Sequence, residues 1–294
     1  MSVNLAQHYV MQYSTNLSLL LQQKESRLRA SVSSGSHVGK QASPLDQFGP
    51  VAAKKVSGRF QPKERTDAPV DRRWVVPVDY DLEQKIDSFD KLKMISDPKS
   101  IYVQNTAAAF NRAMDDEIIS GIFDANKTGE VGATSTVFNT NQVVAVTTGA
   151  TAATGMNVAK LKAARKLFRK NEVDLDSEQL YCVISAEQEE DLLNEIQIVS
   201  MDFNTKPVLT DGKLMSFLGF NFIHSERLPT DGSSYRRCIA YVKSGLYLGM
   251  WQDVVNDAYQ DKTLRGHPWT LYSMASFGAT RLEEKRLVEI KCAE

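Results

Sequence analysis

Apolar residues at helical spacing single out one stretch of the chain. Ala107, Phe110, Met114, Ile118 and Ile122 recur at three- and four-residue steps and draw one apolar stripe. Asp97 can cap the start, and Pro98 sits at the first helical position, where its missing N–H costs nothing. Ala108, Ala109 and Ala113 are strong helix formers around the stripe. Gln104, Asn105, Arg112, Asp115, Asp116 and Glu117 make up the polar side, and the run from Asp124 to Gly129 ends the pattern. The pattern predicts a helix from Pro98 to about Phe123, a rod of roughly 37 Å at ~1.5 Å per residue. Such a rod, apolar on one side, suits a spine that carries a sheet.

Leu5, Tyr9, Tyr13, Leu17, Leu20 and Leu21 mark an amphipathic helix near the N-terminus. With little chain around it, it must dock on a distant part of the fold or on another subunit. From Ser31 to Pro77, Gly and Pro punctuate a stretch poor in large apolar residues, with extended pieces at Val32–Val38, Val51–Phe60 and Arg72–Val78. These predict a long two-arm β-hairpin leaving the body. Arms of about 20 residues would reach some ~60 Å. A lone hairpin is marginal in water, so this one needs a partner surface.

Beyond the long helix, Val131 to Thr148 reads as strand, and Thr147 to Gly155 as a junction. An α/β pattern follows. Asn157 caps a helix through Phe168, Leu180–Ser185 is a buried strand, and Ser185 opens a helix over Glu187–Ile196. Phe217–His224 and Ile239–Leu248 read as strands, the latter kinked at Ser244 and Gly245. The tail is β-rich, with strands at Val254–Gln260, Trp269–Phe277 and Leu287–Lys291 and a turn at Glu283–Arg286. Trp269, Leu271, Tyr272 and Phe277 are placed to pack a sheet on the stripe of the long helix.

Charge adds to this picture. The 294 residues carry a net charge of −1, which removes any global attraction to nucleic acid or membrane. Locally the balance is uneven. Lys24 to Arg73 holds eleven cations against five anions, and Trp74 to Asn126 ten anions against five cations. A basic arm beside an acidic helix invites association between copies. Two ordinary solvated faces are the alternative. The candidates for contact between copies are Arg59, Arg65, Arg72, Arg73 and Trp74 on the arm and Asp115, Asp116 and Glu117 on the helix. Asp79, Asp81 and Asp87 are alternative partners for the arginines.

No run of about 18 apolar residues predicts a membrane span, and no basic-then-apolar start predicts a signal peptide. Cys182, Cys238 and Cys292 are odd in number and far apart, as reduced thiols rather than a disulfide frame or metal site. His8, His37, His224 and His267 lie in four separate elements without ligand spacing. GxSxG, GxxxxGK[ST] and GxGxxG are all missing, and the glycines of Thr128–Gly132 lack the lysine of a phosphate cradle. The consecutive Asp115, Asp116 and Glu117 point in different directions on a helix and cannot converge on one metal. Phe48, Phe60 and Trp74 are too few to interleave the basic arm for single-strand binding. The residues therefore predict no catalytic site, cofactor or metal.

Five strings carry a family likeness: QQKESRLRASVSSGSHVGKQAS (Gln22–Ser43), DRRWVVPVDYDLEQKIDSFDKLKMISDP (Asp71–Pro98), AAAFNRAMDDEI (Ala107–Ile118), FLGFNFIHSERLP (Phe217–Pro229) and FGATRLEEKRLVEI (Phe277–Ile290). In number and order they resemble the major capsid proteins of tailed bacteriophages, of the HK97-type fold. The resemblance implies an α+β chain. Residues 1–30 would form an N-terminal arm, 31–80 the hairpin called the E-loop, and 81–146 a P-domain with the spine helix. Residues 147–254 would form an inserted α/β A-domain, and 255–294 strands returning to the P-domain.

The resemblance also implies an icosahedral head enclosing double-stranded DNA, located in the virion and assembled in the host cytoplasm. A-domains would meet around fivefold and sixfold axes in pentamers and hexamers, and E-loops would lie over adjacent subunits. Scaffold, portal and decoration proteins are further implied partners, and no membrane is. The chain lacks the N-terminal scaffolding extension of some members. Some members crosslink a hairpin lysine. Lys40, Lys54 and Lys55 are candidates here, though no motif marks them. Two rivals stand beside this reading: an encapsulin-like compartment of the same fold, and a soluble α/β enzyme with an unfamiliar site.

Overall fold

A computed structural model describes residues 22–55, 58, 65–86, 99–195, 209–210 and 213–294. The expected N-terminal helix, the cap at Asp97 and Pro98, and Arg59 lie outside the described residues.

The strands in chain order begin with β1 (Ser33–Ser36), β2 (Ala42–Phe48), β3 (Val70–Val75) and β4 (Val78–Ile86). The long helix follows as α1 (Lys99–Phe123). Then come β5 (Asn126–Thr128), β6 (Thr134–Thr136), β7 (Val143–Val144), α2 (Val158–Lys170), β8 (Leu180–Ile184) and α3 (Ala186–Leu193). A short pair, β9 (Leu209–Thr210) and β10 (Lys213–Leu214), precedes β11 (Ser216–Phe217), β12 (Phe220–His224) and β13 (Arg236–Val242). The chain ends with β14 (Leu246–Gln260), β15 (Trp269–Arg281) and β16 (Leu287–Cys292).

Two compact units emerge. One holds the described residues up to Ser26 with Asp79–Ala113 and Gln252–Ser276; the other holds Arg27–Val78, Met114–Trp251 and Phe277–Glu294. In the first, β4 pairs with β15 and β15 with β14. Ser276 Oγ donates to Asp79 Oδ1 at 2.6 Å, and Ser273 Oγ to Asn256 Oδ1 at 2.7 Å. Residues 22–24 run along the helix there. Gln22 Nε2 donates to Asn105 Oδ1, Arg112 Nη1 to Gln22 Oε1, and Asn111 Nδ2 to the Lys24 carbonyl.

The second unit is built on a six-stranded sheet of order β11-β12-β8-β13-β16-β7. Its inner strands are mostly apolar on both faces because both faces are covered. On one face lie α2 and α3. Lys160 of α2 approaches Cys292 Sγ at 4.0 Å, and Gln188 of α3 approaches Cys238 Sγ at 3.5 Å. On the other face Tyr241 meets Ser31, and the Arg237 guanidinium stacks 4.0 Å over Phe123. Asn157 caps α2 by accepting from Lys160 N–H at 2.8 Å, and Ser185 with Gln188 forms a capping box on α3.

The apolar stripe is buried as expected at Phe110, Met114, Ile118 and Ile122. Within the second unit β15 closes on α1. A Cβ on Gly121 would meet the Ala279 main chain at 2.9 Å, so the approach requires glycine. The stretch read as one strand from Val131 to Thr148 is instead broken into β6 and β7 around a 3-10 turn at Thr140–Gln142. Thr and Asn there satisfy local turns, as Asn139 does by accepting from Asn141 N–H. The last strand, β16, sits inside the six-stranded sheet between β13 and β7 rather than on the long helix. Its buried Glu289 is held by Arg237 at 2.7 and 3.0 Å.

The hairpin is β2 and β3, antiparallel, with Phe48 opposite Val70 and Ala42 opposite Val75. Gly49 N–H closes its mouth on the Pro69 carbonyl at 2.7 Å. Paired arms of seven and six residues span about 23 Å, well short of the ~60 Å expected. Val51–Lys55 has no regular structure. The piece expected over Val32–Val38 does form a strand, but β1 pairs in parallel with β14 and is no part of the hairpin.

Candidate functional site: the hairpin root and the spine helix

The candidate residues are positioned by the register of β2, β3 and β5. Arg72 lies opposite Asp46, and its fork closes on that carboxylate with Nε–Oδ1 at 2.5 Å and Nη2–Oδ2 at 3.1 Å. It also lies 5.6 Å over the Trp74 ring. Trp74 in turn donates its Nε1–H to the Gly129 carbonyl at 2.7 Å. Arg73 points the other way, as strand alternation requires, and is buried, 3.5 Å from Glu284. Asp71 accepts from Thr128 Oγ1 at 2.7 Å. Burial pushes its carboxyl up. The bonds from Thr128 and from the N–H groups of Arg72 and Gly129 outweigh that and leave it below the ordinary carboxylate range. Arg65 is exposed and pairs with Asp67 at 2.7 Å.

On the helix the acidic run divides. Asp115 was expected on the exposed side and is fully buried. Its Oδ2 accepts from Arg27 N–H at 3.0 Å and its Oδ1 from Leu28 N–H at 3.2 Å. The reason is angular: Asp115 stands seven residues from Ala108 and from Ile122, both buried, so it shares their face. Asp116 is exposed and held by Arg227, with Nε–Oδ1 at 2.5 Å and a second bond from Nη2 to Oδ2. Hydrogen bonding to Asp116 raises the Arg227 pKa. Glu117 is half-buried. Among the described residues, Arg65, Arg72 and Arg73 on the arm and Asp115 and Asp116 on the helix are thus not brought together; each has partners of its own.

Two cations that the sequence reading passed over hold the framework. Arg281 is fully buried beneath the C-terminal end of α1. It donates to the carbonyls of Ile122, of Asp124 at 2.7 Å and of Thr136 at 2.9 Å, with Glu284 Oε1 at 3.2 Å from its Nε. Lys160 places its buried ammonium among the carbonyls of Thr154, Gly155 and Lys291 at 2.7 to 2.8 Å. Neither residue stands out in a hydropathy pattern, because each is polar at a position that only the fold encloses.

Hairpin, spine helix and covered sheet together define an α+β fold. The family model described as phage capsid protein matches residues 5–294, and the chain belongs to that family. No curated protein matches it by sequence. Among solved structures it is similar to the capsid of cyanophage P-SCSP1u, with a TM-score of 0.75 at 12% identity, covering 100% of this chain and 96% of that one. Against the cyanophage Pam1 capsid the TM-score is 0.76 at 10% identity, over 99% and 98% of the two chains. Against the capsid of the native GTA particle it is 0.70 at 16% identity, over 100% of both. The fold is α+β and HK97-like, and the protein is a structural major capsid protein of the virion. Among the described residues no helix is long and apolar enough to cross a membrane.

Proposed function

We infer that many copies of this chain assemble, as pentamers and hexamers, into an icosahedral shell that encloses double-stranded DNA without reading its sequence. Assembly takes place in the host cytoplasm, with scaffold, portal and decoration proteins as further partners, and the chain catalyses no reaction. In this reading residues 1–30 are the N-terminal arm and residues 31–80 the E-loop. Residues 81–146 with 255–294 make the P-domain and 147–254 the A-domain, whose sheet also takes in β7 and β16. The E-loop lies over an adjacent subunit.

The observation that carries the intersubunit role is the hairpin end. Phe48 and Val70 face each other across the strands and are 73% and 61% exposed, with Val51 at 52% beside them. An exposed apolar cross-strand pair at the end of a paired ribbon marks a contact surface. Arg65 is exposed together with its partner Asp67, and among the described arm candidates it is the most open to an acidic neighbour. Arg72 and Asp116 would have to exchange their present partners to pair across subunits, and Arg73 and Asp115 are buried.

The test is Phe48→Ser with Val70→Ser in the full chain. Subunits should melt as the wild type does, while electron microscopy shows particle yield lost. Normal particles from the double variant would remove the hairpin from the interface. Electron microscopy of the wild-type particle contents separates a DNA-filled head from a protein-storing compartment.

A further inference from the structure

The helix α2, Val158–Lys170, reads VAKLKAARKLFRK: six cations and no anion. The helix α3, Ala186–Leu193, reads AEQEEDLL: four anions and no cation. Both lie on the same face of the six-stranded sheet, since Lys160 and Gln188 reach Cys292 and Cys238, and the register of β13 and β16, with Arg236 opposite Cys292, puts those two cysteines on one face. They occupy different parts of it. Helix α2 packs over β16 and β7, at one edge, and α3 follows β8 and reaches β13. The side chains that point away from the sheet are exposed on both helices: Lys162, Lys166 and Lys170 on α2, Glu187 and Glu190 on α3.

Lys162, Lys166 and Lys170 stand at four-residue steps and form one row; Glu187 and Glu190 stand three apart and form another. None of these five has an ion-pair partner among the described residues, whereas neighbouring Arg169 is paired with Asp176 at 3.0 Å. Among the described residues the helices adjoin at one end, where the Met156 N–H, just before α2, donates to Asp191 Oδ2 and Lys162 shares a cleft with Asp191 and Glu195. The sheet face therefore carries a basic row and an acidic row, and neither row forms an ion pair among the described residues. Two different complementary patches on one subunit are what a head-to-tail contact needs, and a head-to-tail contact that closes makes a ring.

We propose that the basic row of α2 in one copy docks on the acidic row of α3 in the next, and that this contact closes the rings of the shell. The proposal rests on the assembly reading above and names the surfaces that reading leaves open. Opposite charge gives the contact its register and rejects the inverted pairing, in which like meets like. The pairs are solvent-exposed, so ring formation weakens as salt shortens the screening length from about 10 Å at 0.1 M to about 3 Å at 1 M.

Charge reversal in the full chain tests this. One variant carries Lys166→Glu and Lys170→Glu, and a second carries Glu187→Lys and Glu190→Lys. Alone, each places like charges across every joint, so ring yield by native mass spectrometry should fall at least tenfold while the melting curve stays that of the wild type. Coexpressed, the two variants restore a joint only where they alternate. Hexamers should return and pentamers should not, because an odd ring cannot alternate. The chain with all four substitutions reverses both rows and should regain both ring sizes, which also shows that the substitutions do not unfold the domain.

Normal rings from either variant alone, or no hexamers from the mixture, would overturn the proposal. So would restoration of closed dimers in place of rings. Unchanged rings with lost DNA content in the α2 variant would assign the basic row to nucleic acid instead, and would overturn it too. A wild-type chain that forms neither rings nor particles would refute the assembly reading itself, a result distinct from failure of the reversed variants alone.

Discussion

Replacing Arg281 with Met tests how the C-terminal end of the spine helix is held. The guanidinium is fully enclosed and answers main-chain oxygens that the helix cannot satisfy itself, those of Ile122 and Asp124, together with the Thr136 carbonyl. Methionine keeps much of the volume, so the cavity contribution is small and the lost hydrogen bonds dominate. A buried acceptor left without its donor costs about 1–3 kcal/mol. Three of them, with some recovered by local relaxation, come to about 3–5 kcal/mol, a large part of the 5–15 kcal/mol that typically separates folded from unfolded.

Glu284 refines the test. It keeps Arg73 at 3.5 Å after Arg281 is gone, so it is not stranded. If the carbonyls are the main effect, Arg281→Met with Glu284→Gln is at least as unstable as the single variant, since buried Arg73 then also loses its carboxylate. If the ion pair is the main effect, the second substitution restores stability. The assay is urea unfolding of soluble subunits followed by tryptophan fluorescence, since Trp74 is in the same unit and bonded to Gly129. A loss under about 1 kcal/mol in the single variant, or recovery in the double, would refute the reasoning.

Phe110→Ala opens a cavity under a buried ring and should cost about 3–5 kcal/mol, read as a lower urea midpoint at unchanged slope. Gly121→Ala drives a methyl group into the Ala279 main chain and should cost about 1–3 kcal/mol, while Gly232→Ala, which meets nothing within 4 Å, should be near neutral in the same assay. Asp231 is held at about 2 against an ordinary 3.8, chiefly by the hydrogen bond from Lys291 and then by the Tyr235 N–H. A depressed carboxyl contributes stability that is complete above the unfolded value and is lost as pH falls from 3.8 through about 2. Asp231→Asn should therefore flatten the urea midpoint over that acid window, and an unchanged acid slope would remove the carboxylate from the account.

Elements whose pattern is local were legible in the sequence. The stripe from Phe110 to Ile122 predicted α1 to within a residue, because a helix repeats its burial every turn and needs no knowledge of what covers it. The caps at Asn157 and Ser185 were legible for the same reason: a cap is a bond between residues two or three apart. The five family strings carried the class of protein before any contact was known. The paired length of the hairpin was not legible, since Gly and Pro mark where strands break but not where two arms stop pairing. Nor was the place of β16, because Leu287, Val288, Ile290 and Cys292 suit any covered sheet, and the partners of Glu289 and Lys291 that set it between β13 and β7, Arg237 and Asp231, are distant in sequence. Asp115 shows the limit most directly. Its charge reads as surface, but its angle on the helix turns it inward, and burial is tolerated because the N–H groups of Arg27 and Leu28, 87 and more residues earlier in the chain, meet its carboxylate. Residue type reports what a side chain prefers; the distant partners that make a buried charge tolerable exist only once the chain has folded.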